Sequence, residues 1–310
     1  MGKIAFVFPG QGAQAVGMGK DACEAFEPAR RVVEKTDETL GFALSALMFD
    51  GPEAELRQTV NAQPALLTVS VALLETLRAH GIGQPDYVAG HSLGEYSALV
   101  AAGVLTFEDA VWLVRRRGEL MEEAVPGGQG TMAAVLGAER EALAALCREV
   151  SATVGLVELA NVNCPGQIVV SGTTAGVAAV IERGKEAGAK RVVQLEVSGP
   201  FHSSLMRPAA ERLAEALGAV TFRDAAVPVV ANVHARPVTA GDELRRLLVD
   251  QVVSPVLWED SIRFLLEEGV DTFVEIGSGT VLAGLIRKID KSVRVVSVNG
   301  ADAVRAFVAG

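Results

Sequence analysis

After Lys3, residues 4–8 form an unbroken apolar run with no polar alternation, which predicts a strand over 3–8 buried on both faces of a parallel sheet. The run stops at Pro9-Gly10-Gln11-Gly12-Ala13-Gln14, a loop with little side-chain bulk that lets the backbone at Gln11 approach a neighbour or simply turns toward a helix. Residues 61–80 are apolar on most faces and predict a central helix, stopped by Gly81. Tyr87-Val88-Ala89 is a short β-type run, and residues 92–102 read as an apolar helix. Thr106, with Asp109 three positions on, predicts a capped helix start. Along that helix Val111, Val114 and Met121 share one side, and Arg117 falls three residues after Val114 and four before Met121. Of Arg115-Arg116-Arg117, it is therefore Arg117 that enters the buried stripe, where its charge needs a partner. A structural ion pair and a bound substrate carboxylate both fit.

The pattern changes after Pro126-Gly127-Gly128-Gln129-Gly130, the clearest linker in the chain. Strands over 131–136, 156–162, 167–171 and 191–197 alternate with helices over 139–150 and 175–187, with a turn at Asn163-Cys164-Pro165-Gly166. This β-α-β-β-α-β order is that of the ferredoxin-like unit. We expect residues 128–197 to form a small α+β domain inserted into a large α/β domain of residues 1–127 and 198–310. A helix over 206–217 and strands over 227–231, 272–276 and 293–298 belong to the large domain, whose sheet is expected to be mostly parallel.

Composition narrows the class. The 310 residues are half hydrophobic and carry a formal net charge of −10, which argues against nucleic acid as a partner. No apolar run approaches the roughly 18 residues of a membrane helix, and the apolar N-terminal stretch is too short for a signal peptide. Cys23, Cys147 and Cys164 are far apart and odd in number, so disulfides are not expected. The four histidines show no H-E-x-x-H pairing, so no metal is expected. Together these predict a soluble cytoplasmic protein.

Candidate chemistry centres on Gly90-His91-Ser92-Leu93-Gly94, a G-x-S-x-G sequence between strand and helix. Small residues on both sides of Ser92 allow a strained turn that exposes its hydroxyl, and the amide of Leu93 and the helix start then face any oxygen held above it. An activated serine needs a base. Among His80, His91, His202 and His234, the best placed is His202, in the loop Ser198-Gly199-Pro200-Phe201-His202-Ser203-Ser204. A helix ends near Gln251-Val252-Val253-Ser254-Pro255, leaving carbonyls free to accept from an imidazole. Glu275-Ile276-Gly277-Ser278-Gly279 is open to two readings, a phosphate loop or a β-to-α turn.

Assembled in order, these stretches resemble the malonyl-CoA:acyl carrier protein transacylase family of fatty-acid synthesis. The matching stretches run from Phe8-Pro9-Gly10-Gln11-Gly12 through Gln63-Pro64-Ala65-Leu66-Leu67, Gly90 to Tyr96 and Arg117-Gly118. They continue through Asn161-Val162-Asn163, Phe201-His202-Ser203 and Gln251 to Pro255, and end at Glu275-Ile276-Gly277. The resemblance implies a hydrolase-like core with a ferredoxin-like insertion. It makes Ser92 the nucleophile, His202 its base, and the amides of Leu93 and Gln11 the oxyanion hole. It gives Arg117 the malonyl carboxylate, the Gln251 carbonyl the orientation of His202, and Asn161 a place by the pantetheine path. Gln63, His91, Met121 and Phe201 join the substrate-binding set. The implied partners are malonyl-CoA and acyl carrier protein, with no resident cofactor and no membrane, and a monomer among the states left open. Lys190-Arg191 and Arg287-Lys288 are candidate docking patches for the acidic carrier. Ala13, Glu122 and Pro200 depart from or vary within the family pattern, and Glu122 adds a negative charge near Arg117's helix. A polyketide-pathway acyltransferase and a serine esterase or thioesterase are the alternatives.

Overall fold

The computed structural model describes residues 2–310. Strand β1 (Lys3–Phe8) is followed by the helices α1 (Lys20–Ala25), α2 (Glu27–Leu40), α3 (Leu44–Asp50), α4 (Glu53–Leu56) and α5 (Thr59–Ala79). Next come β2 (Tyr87–Gly90), α6 (Gly94–Ala101) and α7 (Phe107–Glu123). A second group comprises β3 (Gly130–Leu136), α8 (Arg140–Thr153), β4 (Val157–Cys164), β5 (Gln167–Thr173), α9 (Thr174–Arg183) and β6 (Arg191–Gln194). The chain then forms α10 (Arg207–Gly218), β7 (Val229–Val230), β8 (Pro237–Val238), α11 (Gly241–Val253) and α12 (Trp258–Glu267). It closes with β9 (Val270–Ile276), α13 (Val281–Ile289), β10 (Arg294–Val298) and α14 (Ala301–Val308).

The fold is mixed α/β with two sheets. The first has the order β10-β9-β1-β2-β7-β8 and is parallel except for the β7–β8 pair. The second, β4-β5-β3-β6, is antiparallel throughout. Ala5 to Phe8 are buried, as a strand covered on both faces requires. The chain steps from β1 to β2 on one side, and only much later lays β9 on the other. The change of direction therefore falls between β1 and β9, while the loops leaving β1 and β2 stand side by side at the sheet's carboxyl edge, where the His91 amide donates to the Phe8 carbonyl at 3.0 Å.

Several boundaries differ from the sequence reading. β4 runs on through Asn163 to Cys164, because pairing with β5 extends to Cys164↔Gln167. β6 ends at Gln194, where its pairing with β3 ends, and the strand expected over 227–231 shrinks to two residues. Helix α5 has the length and apolarity of a membrane span, but its 18-residue window is 83% buried within the fold, so it is a core helix. Backbone bonds tie the second sheet to the segment between α11 and α12: Val162 donates to the Val256 carbonyl and Val256 to that of Ala160, both at 2.9 Å. Glu158 on β4 also accepts from the Ser204 amide at 2.7 Å.

Candidate active site

Ser92 sits just past the carboxyl end of β2 with φ of 51°, a left-handed conformation that a side-chain-bearing residue adopts only when its surroundings impose it. Those surroundings are tight. A Cβ on Gly90 would lie 1.9 Å from the Gly94 carbonyl carbon, and one on Gly94 would lie 2.1 Å from the Phe8 carbonyl oxygen. The loop after β1 is pressed against the same turn, since a Cβ on Gly10 would meet the His91 carbonyl oxygen at 2.3 Å.

His202 reaches this serine from 110 residues downstream, with Ser92 Oγ 2.7 Å from His202 Nε2. The other ring nitrogen, Nδ1, is 2.9 Å from the Gln251 carbonyl oxygen near the end of α11. A carbonyl only accepts, so Nδ1 carries the hydrogen and Nε2 presents its lone pair to the serine. Burial and, second, the charge of Arg117 push the imidazole's pKa down to about 3, and the bond to Gln251 opposes them. His202 is a neutral imidazole held by a main-chain carbonyl in place of a carboxylate.

The amide of Leu93 stands at the N-cap of α6, and that of Gln11 in the loop after β1. Among the described residues neither donates to a protein acceptor. Both are open to an oxyanion, which the α6 dipole also favours.

Arg117 is 1% exposed, as its place in the α7 stripe predicts. Of the two partners the sequence left open, a structural ion pair is not found among the described residues. Nη1 donates to Gln63 Oε1 at 2.8 Å, while Nη2 donates to Gln251 Oε1 at 2.9 Å and to Ser92 Oγ at 3.2 Å. The guanidinium is thus held by neutral amide oxygens beside Ser92, and burial pulls its pKa below the usual guanidinium value. A cavity of about 400 Å³ opens over Ser92, His202 and Arg117, and Gln11, Met121 and Asn161 also line it.

The sequence profile of the acyl transferase domain family matches residues 5–305. The chain belongs to this acyltransferase family. It is 54% identical over 308 residues to the malonyl CoA-acyl carrier protein transacylase of Bacillus subtilis, covering 99% of this chain and 97% of that one. The acyl-carrier-protein S-malonyltransferase of Bartonella henselae superposes with a TM-score of 0.96 at 43% identity, covering 100% of this acyltransferase and 99% of that chain. A malonyl-transacylase solved in complex with a type II PKS acyl-carrier protein does so at 0.96 and 41%, covering 99% of each chain.

Among the acyltransferase's other expected substrate residues, Phe201 and His91 line the cavity. His91 Nε2 donates to Asn163 Oδ1 at 2.7 Å, and its ring leans on Trp258. Gln63 is fully buried; it holds Arg117 and contacts Met121 Sδ, so it acts through Arg117 instead of lining the cavity. Glu122 lies near the first turn of α5, with Oε1 3.4 Å from the Val60 amide. Glu275 caps α13 by accepting from the Leu282 and Ala283 amides, which makes its loop a β-to-α turn with no free helix N-terminus for phosphate. Lys190, Arg191, Arg287 and Lys288 do not line the cavity, and Lys288 donates to Gln167.

Three residues were not read from sequence. Asn232, just past β7, accepts from the Ser92 amide at 2.8 Å and donates to the Gly90 carbonyl at 2.7 Å, bracing the strained turn. Glu95, in the first turn of α6, is fully buried and accepts from Gln251 Nε2 at 2.9 Å and the Asn232 amide at 3.1 Å. The side chain of Gln251, as distinct from its carbonyl, also donates to the Ser92 carbonyl at 3.0 Å. For Glu95 and Gln251 the available signal was a polar residue at a core position of a helix.

Proposed function

We propose that this acyltransferase moves a malonyl group from malonyl-CoA to the phosphopantetheine thiol of acyl carrier protein through a covalent malonyl-Ser92 intermediate. The carrying observation is the convergence of one hydroxyl, one neutral imidazole and one buried guanidinium on a single cavity. His202 Nε2 takes the Ser92 proton as Oγ bonds to the thioester carbon, and the carbonyl electron pair moves onto oxygen facing the Leu93 and Gln11 amides. Collapse breaks the carbon–sulfur bond, and His202 returns the proton to the departing coenzyme A sulfur. The carrier thiol then attacks the malonyl ester by the same steps in reverse.

Arg117 supplies selectivity. Its Nη2 is 3.2 Å from the nucleophile, within reach of a carboxylate one methylene beyond the acyl carbon. Acetyl leaves the guanidinium without that anion. The malonyl carboxylate also neutralises the charge that helps hold His202's pKa low, so the preferred acyl group strengthens the base that acts on it.

The same reading takes residues 128–197 as a ferredoxin-like insertion in a hydrolase-like core. It needs no resident cofactor and is that of a cytoplasmic enzyme of fatty-acid synthesis. The relative solved with a type II PKS carrier protein supports polyketide supply as the alternative. The test is intact mass after mixing with malonyl-, acetyl- or methylmalonyl-CoA, then addition of holo carrier protein. We expect a malonyl adduct that Ser92→Ala abolishes and that passes to the carrier. Release of free malonate without carrier loading would replace this reading by an esterase, and relative loading of fatty-acid and polyketide carriers separates the two pathways.

A further inference from the structure

Glu95 is a buried carboxylate that the acyl-transfer steps do not use. Its Oε2 accepts from Gln251 Nε2 and the Asn232 amide, while its Oε1 has no partner among the described residues. A single side-chain amide separates it from Arg117, because the same Gln251 turns its oxygen to Arg117 Nη2. Arg117 on α7 and Tyr96 on its own helix are the ionisable groups whose fields couple to Glu95; Gln251 on α11 and Asn232 after β7 are neutral. His202 also feels the Arg117 charge, and burial keeps it uncharged.

We propose that Glu95 and the substrate carboxylate are alternative counter-charges for Arg117, so that binding an acidic acyl group drives a solvent proton onto Glu95. The inference rests on the malonyl reading above and goes beyond it. In the empty site one negative and one positive group balance across Gln251. A second carboxylate brought to the guanidinium leaves two anions sharing one buried cation, and the fully buried carboxyl group with an unbonded oxygen is the one that takes a proton. Burial already holds the Glu95 pKa up to about 7, with the Gln251 and Asn232 bonds and Arg117 opposing, so a modest added field suffices near neutral pH. Acetyl-CoA brings no second anion and calls for no proton.

The test counts protons. Ser92→Ala enzyme, which binds without reacting, is titrated calorimetrically with malonyl-CoA and acetyl-CoA at pH 7.5 in buffers of different ionisation enthalpy. We expect uptake of about half a proton or more with malonyl-CoA and none with acetyl-CoA. Adding Glu95→Gln, whose amide oxygen can still accept from Gln251 and Asn232, removes the uptake. In otherwise native enzyme Glu95→Gln also abolishes a rise of the malonyl-CoA KM above pH 7, a change that a purely structural role does not produce. If Glu95→Gln does not fold, a protonated-carboxyl infrared band induced by ¹³C-malonyl-CoA, unshifted by the label and absent with acetyl-CoA, gives the same answer. Equal proton counts for the two thioesters, or uptake surviving Glu95→Gln, would overturn the proposal. If native enzyme is still malonylated at Ser92 in that case, the malonyl reading stands; if it is not, that reading fails by itself.

Discussion

Truncating Arg117 to alanine tests the selectivity argument most directly. A carboxylate bound through two charge-assisted hydrogen bonds draws on about 1.5–3 kcal/mol from each. Allowing for overlap, about 3–5 kcal/mol of binding to the malonyl transition state disappears, which is a loss of roughly 10²–10⁴ in kcat/KM. Acetyl loses nothing comparable, because it has no group to offer the guanidinium. It gains instead, since removing a positive charge beside His202 lifts the second largest of the causes holding that imidazole's pKa low. The malonyl-to-acetyl ratio of kcat/KM should therefore collapse by about 10²–10⁴. The variant also strips a donor from Gln63 Oε1 and from Gln251 Oε1, so some stability goes with it. Rapid-quench acylation with each thioester, beside thermal unfolding of the same preparation, separates the effects. A folded Arg117→Ala enzyme with an unchanged malonyl-to-acetyl ratio would refute the carboxylate role.

Two further outcomes follow from the site's construction. Folded His202 binds a proton only below about pH 3, against an ordinary histidine value of 6.5, so between those values the unfolded chain holds more protons and stability falls as pH drops. That difference of about 3.5 units corresponds to up to about 5 kcal/mol. Glu95, raised from 4.5 to about 7, acts in the opposite sense over that range, so the comparison is native against His202→Asn in urea unfolding from pH 4 to 7. The native curve should fall more steeply toward acid, and parallel curves would show that the buried imidazole is not the cause. Gly90→Ala places a methyl 1.9 Å from the Gly94 carbonyl carbon, whereas a methyl on Gly127 meets nothing within 4 Å. The first should abolish the malonyl adduct seen by intact mass and the second should leave it intact; a fully active Gly90→Ala enzyme would mean that the turn is not strained as described.

The parts of this molecule legible in its sequence are those whose geometry is written locally. Glycines two residues to either side of Ser92 announce a cramped turn, and three-and-four spacing from Val114 and Met121 turns Arg117 inward before any partner is known. Asn232 and Glu95 left no such trace, because what they do depends on residues 140 and 156 positions away, on Ser92 and Gln251. Of the two partners the sequence left open for Arg117, the structural ion pair is not found among the described residues. A buried cation invites a search for a carboxylate in contact, yet two glutamine oxygens hold it and the carboxylate stands one amide behind. Helices α5, α6, α7 and α11 each bring one polar side chain to this network, respectively Gln63, Glu95, Arg117 and Gln251, and none is more than 1% exposed. Isolated in its own helix, each is an error in an apolar pattern. A polar group cannot stay alone in a core without losing the hydrogen bonds it made in water, so such breaks in separate helices must find one another. Gln63 and Arg117, and Glu95 and Gln251, do so in pairs that Gln251 joins, and Ser92 lies at the meeting point. The candidate site is where interruptions of the hydrophobic pattern, scattered over four helices, are required to converge.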